Sequence, residues 1–175
     1  MLLFKSYKSP AGELILGSFA GDLVMCDWKE SPKHERNLRR ISALIYNNMC
    51  VEERCQTRFC GVGDVLSLAA SQLDEYFAGR RTMFDVPVRF VGTPFQKKVW
   101  QALTEIPFGE TVSYRNLAER IGMPKAVRAV ANANGANCLS IIVPCHRVIG
   151  SNSALTGYAG GLEAKDFLLK LETSD

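Results

Sequence analysis

No apolar run in this sequence approaches the ~20 residues that a membrane-crossing helix requires, so a membrane protein of that kind is not expected. The N-terminus lacks the basic, apolar, small-residue succession of an export signal. The expected location is therefore a microbial cytoplasm, or a nucleus if the source is eukaryotic. There is no internal repeat, low-complexity tract or long linker. Cysteine is present, but at irregular spacings in a chain too large to need staples, which points to reduced thiols rather than a disulfide scaffold. Cys50, Cys55 and Cys60 recur every five residues, which is no usual zinc spacing, although with Cys26 or His34 they could in principle form a site. No metal and no cofactor are expected. Histidine is scarce, His34 and His146 being the two. His34 lies in a polar stretch and is expected to be solvent-exposed.

What is present suits a globular protein: 175 residues, 47% hydrophobic and 22% charged, enough for one ordinary domain or two small ones. The net charge of +3 is unevenly placed. Residues 1–88 balance, and the whole excess lies in 89–175. Between Ser113 and Arg147 stand Arg115, Arg120, Lys125, Arg128 and Arg147 against the single acid Glu119. Such a patch suits a polyanion, although a solvated helix face would look the same.

Leu2–Tyr7, Glu13–Phe19 and Leu23–Trp28 read as strands of a meander, separated by turn residues. Helices are expected over about 35–48 and 64–79, the second with Leu66, Leu73, Tyr76 and Phe77 as its apolar stripe. Residues 82–91 look extended, and the boundary is placed there, giving an N-terminal subdomain of residues 1–88 and a C-terminal subdomain of residues 89–175. Thr93, Pro94 and Gln96 form a capping box opening a helix whose apolar face is Phe95, Val99, Ala102, Leu103 and Ile106. Ser113 caps a short helix from Tyr114 to Ile121; Gly122-Met123-Pro124 turns into a second helix ending at Asn134 and closed by Gly135. The pair is a helix-turn-helix candidate.

On the second helix Val127 and Val130 face the core, while Arg128 is surrounded by small or short residues: Ala129, Ala131, Asn132 and Gly135. A base-reading helix needs several long polar side chains. This one could approach a duplex closely with little sequence preference, or simply pack against protein with Arg128 solvated. The run Leu139 to Val143 reads as a buried strand delivering Pro144-Cys145-His146-Arg147. Positive neighbours there are expected to favour the thiolate of Cys145. A Cys-His dipeptide alone is weak support for a nucleophile.

The wider context is specific. Ile142-Val143-Pro144-Cys145-His146-Arg147-Val148-Ile149-Gly150 resembles the active-site signature of the O6-alkylguanine-DNA alkyltransferases. The resemblance runs from Thr93 to Glu172 through Ile106-Pro107-Phe108-Gly109-Glu110-Thr111, Ser113-Tyr114, Lys125 to Val130, Asn137 and Gly157-Tyr158-Ala159-Gly160-Gly161. It implies an α/β N-terminal subdomain with a ribonuclease-H-like sheet, then a mostly helical C-terminal subdomain carrying the helix-turn-helix. It also implies that Cys145 accepts the alkyl group irreversibly, once per molecule. His146 would be the base through water, Glu172 its orienter and Asn137 the stabiliser of the turn. Tyr114 would donate to the leaving guanine, and Arg128 would fill the stack behind the flipped base. Ser113, Ala129, Asn132 and Gly135 would lie against DNA in the minor groove, with Val148, Tyr158 and Ala159 lining the base pocket. The partner implied is duplex DNA containing O6-alkylguanine, bound by a monomer with no membrane involved.

Cys138 departs from the family, in which proline is common at that place, and a second reactive thiol is considered there. Residues 1–88 resemble the family only loosely. Three other classes are weighed. A non-catalytic alkylguanine binder would replace Cys145. A helix-turn-helix regulator would want a polar reading helix. A cysteine hydrolase would need an oxyanion motif, which is missing.

Overall fold

A computed structural model describes residues 1–47, 65–151 and 154–173. Cys50, Cys55 and Cys60 lie outside the described residues, and so does the expectation about them. Three strands, β1 (Leu2–Ser9), β2 (Gly12–Phe19) and β3 (Asp22–Trp28), form an antiparallel meander in the order β1-β2-β3. Gly12 at φ 132° and Gly21 at φ 88° make the two hairpin turns, a backbone region that side chains avoid. A register shift at Gly17/Ser18 lets the second and third strands bend together.

The inner strand and β3 are buried on both faces, and the reason is the helices. On one face Phe19, Val24 and Met25 pack against Ile41 and Ile45 of helix α1 (His34–Asn47). On the other, Leu14, Leu16 and Leu23 meet Leu66, Leu73 and Tyr76 of α2 (Val65–Phe77). This second core continues without a break into the C-terminal half, through Val99, Leu103, Leu117, Val143 and Leu168. Both helix expectations hold to within two residues. His34 does not sit in solvent: it opens α1 and its Nδ1 lies 3.2 Å from Oδ2 of the buried Asp27. Residues 82–91 contain no strand, only one parallel bridge from Val88 to Leu23.

The C-terminal half begins at α3 (Pro94–Thr104), entered through the Thr93–Gln96 capping box that the sequence announces. Two short strands follow at a distance, β4 (Val112–Ser113) and β5 (Val148–Ile149), paired in parallel. Between them lie α4 (Tyr114–Arg120), a 3₁₀ turn Pro124–Ala126, and α5 (Val127–Asn134). These are the two helices of the helix-turn-helix, joined at Gly122 with φ 72°. The last helix, α6 (Gly161–Thr173), closes the chain. No described helix is long and apolar enough to cross a membrane.

A further expectation fails. Leu139 to Val143 is buried as foreseen but is not a strand: only Leu139 makes a bridge, to Cys26. The chain then coils through a tight turn, with Val143 N–H donating to Leu139 O and Ile141 at φ 72°. A β-branched residue in that region is strained and is held there by its surroundings. The apolar composition reflects burial on all sides, which periodicity cannot distinguish from a strand.

Candidate active site

The turn ends in a 3₁₀ helix, Cys145–Arg147, which aims three consecutive side chains in different directions. Asn137 fixes the turn from within: its Nδ2 donates to Val143 O at 2.9 Å and its Oδ1 accepts from Leu139 N–H at 3.0 Å. Both ends of one buried amide thereby hold the backbone that delivers Cys145. Nδ2 of Asn134, at the end of α5, reaches Cys145 O at 3.4 Å.

Cys145 is 4% exposed. Burial pushes its thiol up to about 11, and a hydrogen bond from Asn137 and the charge of Lys165 oppose that rise without cancelling it. The thiolate is therefore not favoured at rest, contrary to the sequence expectation. Burial is the cause, and Arg147 does not offset it. The Arg147 guanidinium is bound to Glu172, Nε to Oε2 at 2.7 Å and Nη2 to Oε1 at 3.0 Å, with Nη1 on Ile106 O at 2.6 Å. Arg147 is buried, so it does not belong to the basic surface patch either.

Glu172 is the hub of this region. Besides Arg147 it accepts from Tyr76 Oη at 2.7 Å, pairs with His146 Nε2 at 2.7 Å and accepts from Gly109 N–H at 3.2 Å. Gly109 sits at φ 77°, and a Cβ there would lie 2.9 Å from Glu172 O. Burial alone would raise the carboxyl, but the bonds from His146 and Arg147 outweigh it and hold Glu172 at about 2. Burial lowers His146, against the pull of Glu172, so the ring is neutral at pH 7. A neutral ring facing a carboxylate donates Nε2–H to it, which leaves Nδ1 as the acceptor. Nδ1 is buried and has no partner among the described residues.

Lys165 of α6 is fully buried, donating to Val148 O at 2.6 Å and Thr156 O at 3.0 Å. It fastens the segment after Cys145 to the loop at 154–160. Tyr158 in that loop packs edge-on against Trp28, with centroids 5.9 Å apart, and against His146 at 6.3 Å. Gly160 rests on the Trp28 indole so closely that a Cβ would stand 2.6 Å from it. Ala159 is half-buried beside them and Val148 is fully buried in the core.

Tyr114, half-buried at the start of α4, packs on the core. It is brought to this side by the β4–β5 pairing, in which Val112 faces Val148 and Ser113 faces Ile149. Ser113 caps α4, accepting from Asn116 N–H at 3.1 Å. On α5, Val130, Ala133 and Asn134 face inward, while Arg128, Ala129 and Asn132 are exposed and Gly135 is half-buried. The structure thus gathers Cys145, His146, Asn137 and Glu172 into one buried cluster and sets Arg128, Ala129 and Asn132 on one outer helix face.

Lys165, Tyr76 and Trp28 escaped the sequence reading of the site, and Arg147 was read there as a neighbour of the thiol, not as a partner of Glu172. The signal for Lys165 and Glu172 was their register: with Leu168 they fall three and four residues apart on the inward face of α6, where charge is out of place. Cys138 is buried, its thiol is pushed up to about 12 by burial, and it accepts from Arg40 Nη2 at 2.7 Å.

Residues 2–90 match a family described as 6-O-methylguanine DNA methyltransferase, ribonuclease-like domain, and residues 94–174 match its DNA binding domain. The chain is 61% identical to the constitutive methylated-DNA–protein-cysteine methyltransferase of Bacillus subtilis, covering 98% of this chain and 96% of that protein. It is 60% identical to the methylated-DNA–protein-cysteine methyltransferase of Methanosarcina acetivorans, over 99% of each. The crystal structure of Mycobacterium tuberculosis OGT in complex with DNA superposes with a TM-score of 0.76 at 40% identity, covering 97% of this chain and 92% of that one.

Proposed function

The chain belongs to the 6-O-methylguanine DNA methyltransferase family, and we infer that it repairs O6-alkylguanine in DNA by moving the alkyl group onto its own Cys145. The observation that carries the assignment of residues is the chain of contacts behind the thiol: a neutral His146 whose Nε2 is occupied by Glu172 and whose Nδ1 is free to accept.

The chemistry follows from the burial of the sulfur. A thiol held near pKa 11 is a poor nucleophile until its proton is removed, and a base-poised imidazole beside it meets that need. His146 takes the Cys145 proton through a bridging water, and Glu172 stabilises the imidazolium that forms. The sulfur attacks the alkyl carbon, a C–S bond forms, and the C–O6 bond breaks with its electron pair passing to guanine. Tyr114 donates to the guanine ring as that charge develops. The product is a neutral thioether and restored guanine. No other group of the cluster can cleave a thioether, so each molecule acts once.

The target carbon is shielded in a stacked duplex, so the base must be swung out at a cost of a few kcal/mol. Arg128 fills the gap while the small residues of α5 lie in the minor groove, with Ser113, Ala129, Asn132 and Gly135 on the backbone. A face with one long side chain has little to discriminate bases with, which implies weak sequence preference. Val148, Tyr158 and Ala159 enclose the flipped base. The protein acts as a monomer in the cytoplasm, with functional subdomains of residues 1–88 and 89–175. Incubation with a duplex carrying labelled O6-methylguanine tests the reading: label moves to the parent protein, plateaus near one equivalent, and does not move to Cys145→Ala. Turnover beyond one equivalent, or transfer to Cys145→Ala, refutes it.

A further inference from the structure

Outside the buried cluster, one cavity of about 610 Å³ opens between the two halves of the chain. Lys33, Arg36 and Arg40 form one wall, Thr93 and Gln96 at the start of α3 another, and Asn132 of α5 a third. Among the described residues no carboxylate lines it. Two of the cations are engaged with the carboxyl end of α5: Lys33 Nζ donates to Gly135 O at 3.3 Å and Arg40 Nη2 to Ala136 O at 2.8 Å. The negative pole of that helix is thereby covered by positive charge. Arg36 is exposed and makes no ion pair with any described residue.

We propose that this groove holds a backbone phosphate of the DNA strand that runs past the end of α5, with Arg36 as its principal ligand. The inference rests on the preceding assignment of α5 to the duplex. Asn132 belongs to both surfaces, so a strand lying along Arg128, Ala129 and Asn132 continues directly into the groove. Three cations, no acid among the described residues, and the positive end of α3 give the groove one sign of charge, which selects an anion without reading a base. The N-terminal half thus joins the DNA-binding surface, through residues whose sequence carried no such signal.

A released counterion accompanies each phosphate neutralised, so the contact is read from salt dependence. The binding of a labelled, unmodified duplex is measured across salt concentrations for the parent, Arg36→Ala, Arg36→Lys and the double variant Lys33→Ala/Arg36→Ala. Arg36→Ala is expected to reduce the slope of log K against log salt by about 1 and to weaken binding equally on unrelated sequences. The double variant reduces the slope further, and Arg36→Lys restores it. A parental slope in Arg36→Ala overturns the proposal. So does a slope loss that comes with a lowered melting midpoint and persists in Arg36→Lys, because the residue would then serve only the fold. Label transfer by the parent from an alkylated duplex, run alongside, separates the two readings: if it fails, the assignment of Cys145 falls, whereas unchanged slopes with normal transfer dismiss only the groove.

Discussion

Nε2 of His146 lies 2.7 Å from Oε1 of Glu172, and both side chains are sealed from solvent. The pair joins residues on a 3₁₀ turn and on the last helix, and the same carboxylate is held by Tyr76 and Arg147. Stability and reactivity are therefore predicted to share one hub.

Removing the charge of Glu172 leaves Arg147 buried without its partner, which typically costs 3–5 kcal/mol. Glu172→Gln is expected to lose about that much at pH 7. Because the folded carboxyl sits at about 2 against an ordinary value of 4.5, its contribution is complete above about pH 5 and is lost as pH falls toward 2. The shift corresponds to roughly 3 kcal/mol. Urea unfolding at several pH values checks this: the gap between parent and Glu172→Gln should narrow as pH falls, and a constant gap contradicts it.

His146→Gln keeps a donor toward Glu172 but removes the acceptor at Nδ1. Label transfer from alkylated duplex is expected to slow by about 10²–10⁴-fold at neutral pH, the usual worth of a positioned base. The slowing should diminish at high pH, where the thiol ionises unaided. A uniform deficit at all pH values would place His146 outside proton transfer.

The Lys165 ammonium favours the Cys145 thiolate against the penalty of burial. Lys165→Met should raise the thiol further above about 11 and displace the pH profile of its alkylation by a small thiol reagent toward alkali. Mass mapping of the modified peptides confirms which cysteine reacted. An unmoved profile would mean that Lys165 acts only through the Val148 and Thr156 carbonyls.

Gly160→Ala places a methyl group 2.6 Å from the Trp28 indole, so the loop at 154–160 must move. Slower transfer at nearly unchanged stability is expected, with partial recovery in Gly160→Ala/Trp28→Phe, where the smaller ring leaves room. A double variant no better than the single one would show that the clash is not the cause.

Local rules made much of this molecule legible. The capping box at Thr93, the Ser113 cap and the glycine turns are decided by neighbours a few residues away, and all are present as read. The apolar stripes of α2 and α3 followed from helical periodicity. What stayed hidden depends on distant partners. Nothing near Tyr76 in sequence indicates that its hydroxyl meets a carboxylate 96 residues on, and Arg147 looked like surface charge because Glu172 was read apart from it. The turn before Cys145 imitated a strand because complete burial erases the pattern that separates the two.

The packing around Cys145 has a final consequence. Cys145 is only 4% exposed, so a carbon added to its sulfur is expected to displace packed neighbours. Crowding of that kind in a filled interior typically costs 1–3 kcal/mol. The used molecule is thus expected to be looser than the fresh one, with its history written into its resistance to heat and proteolysis.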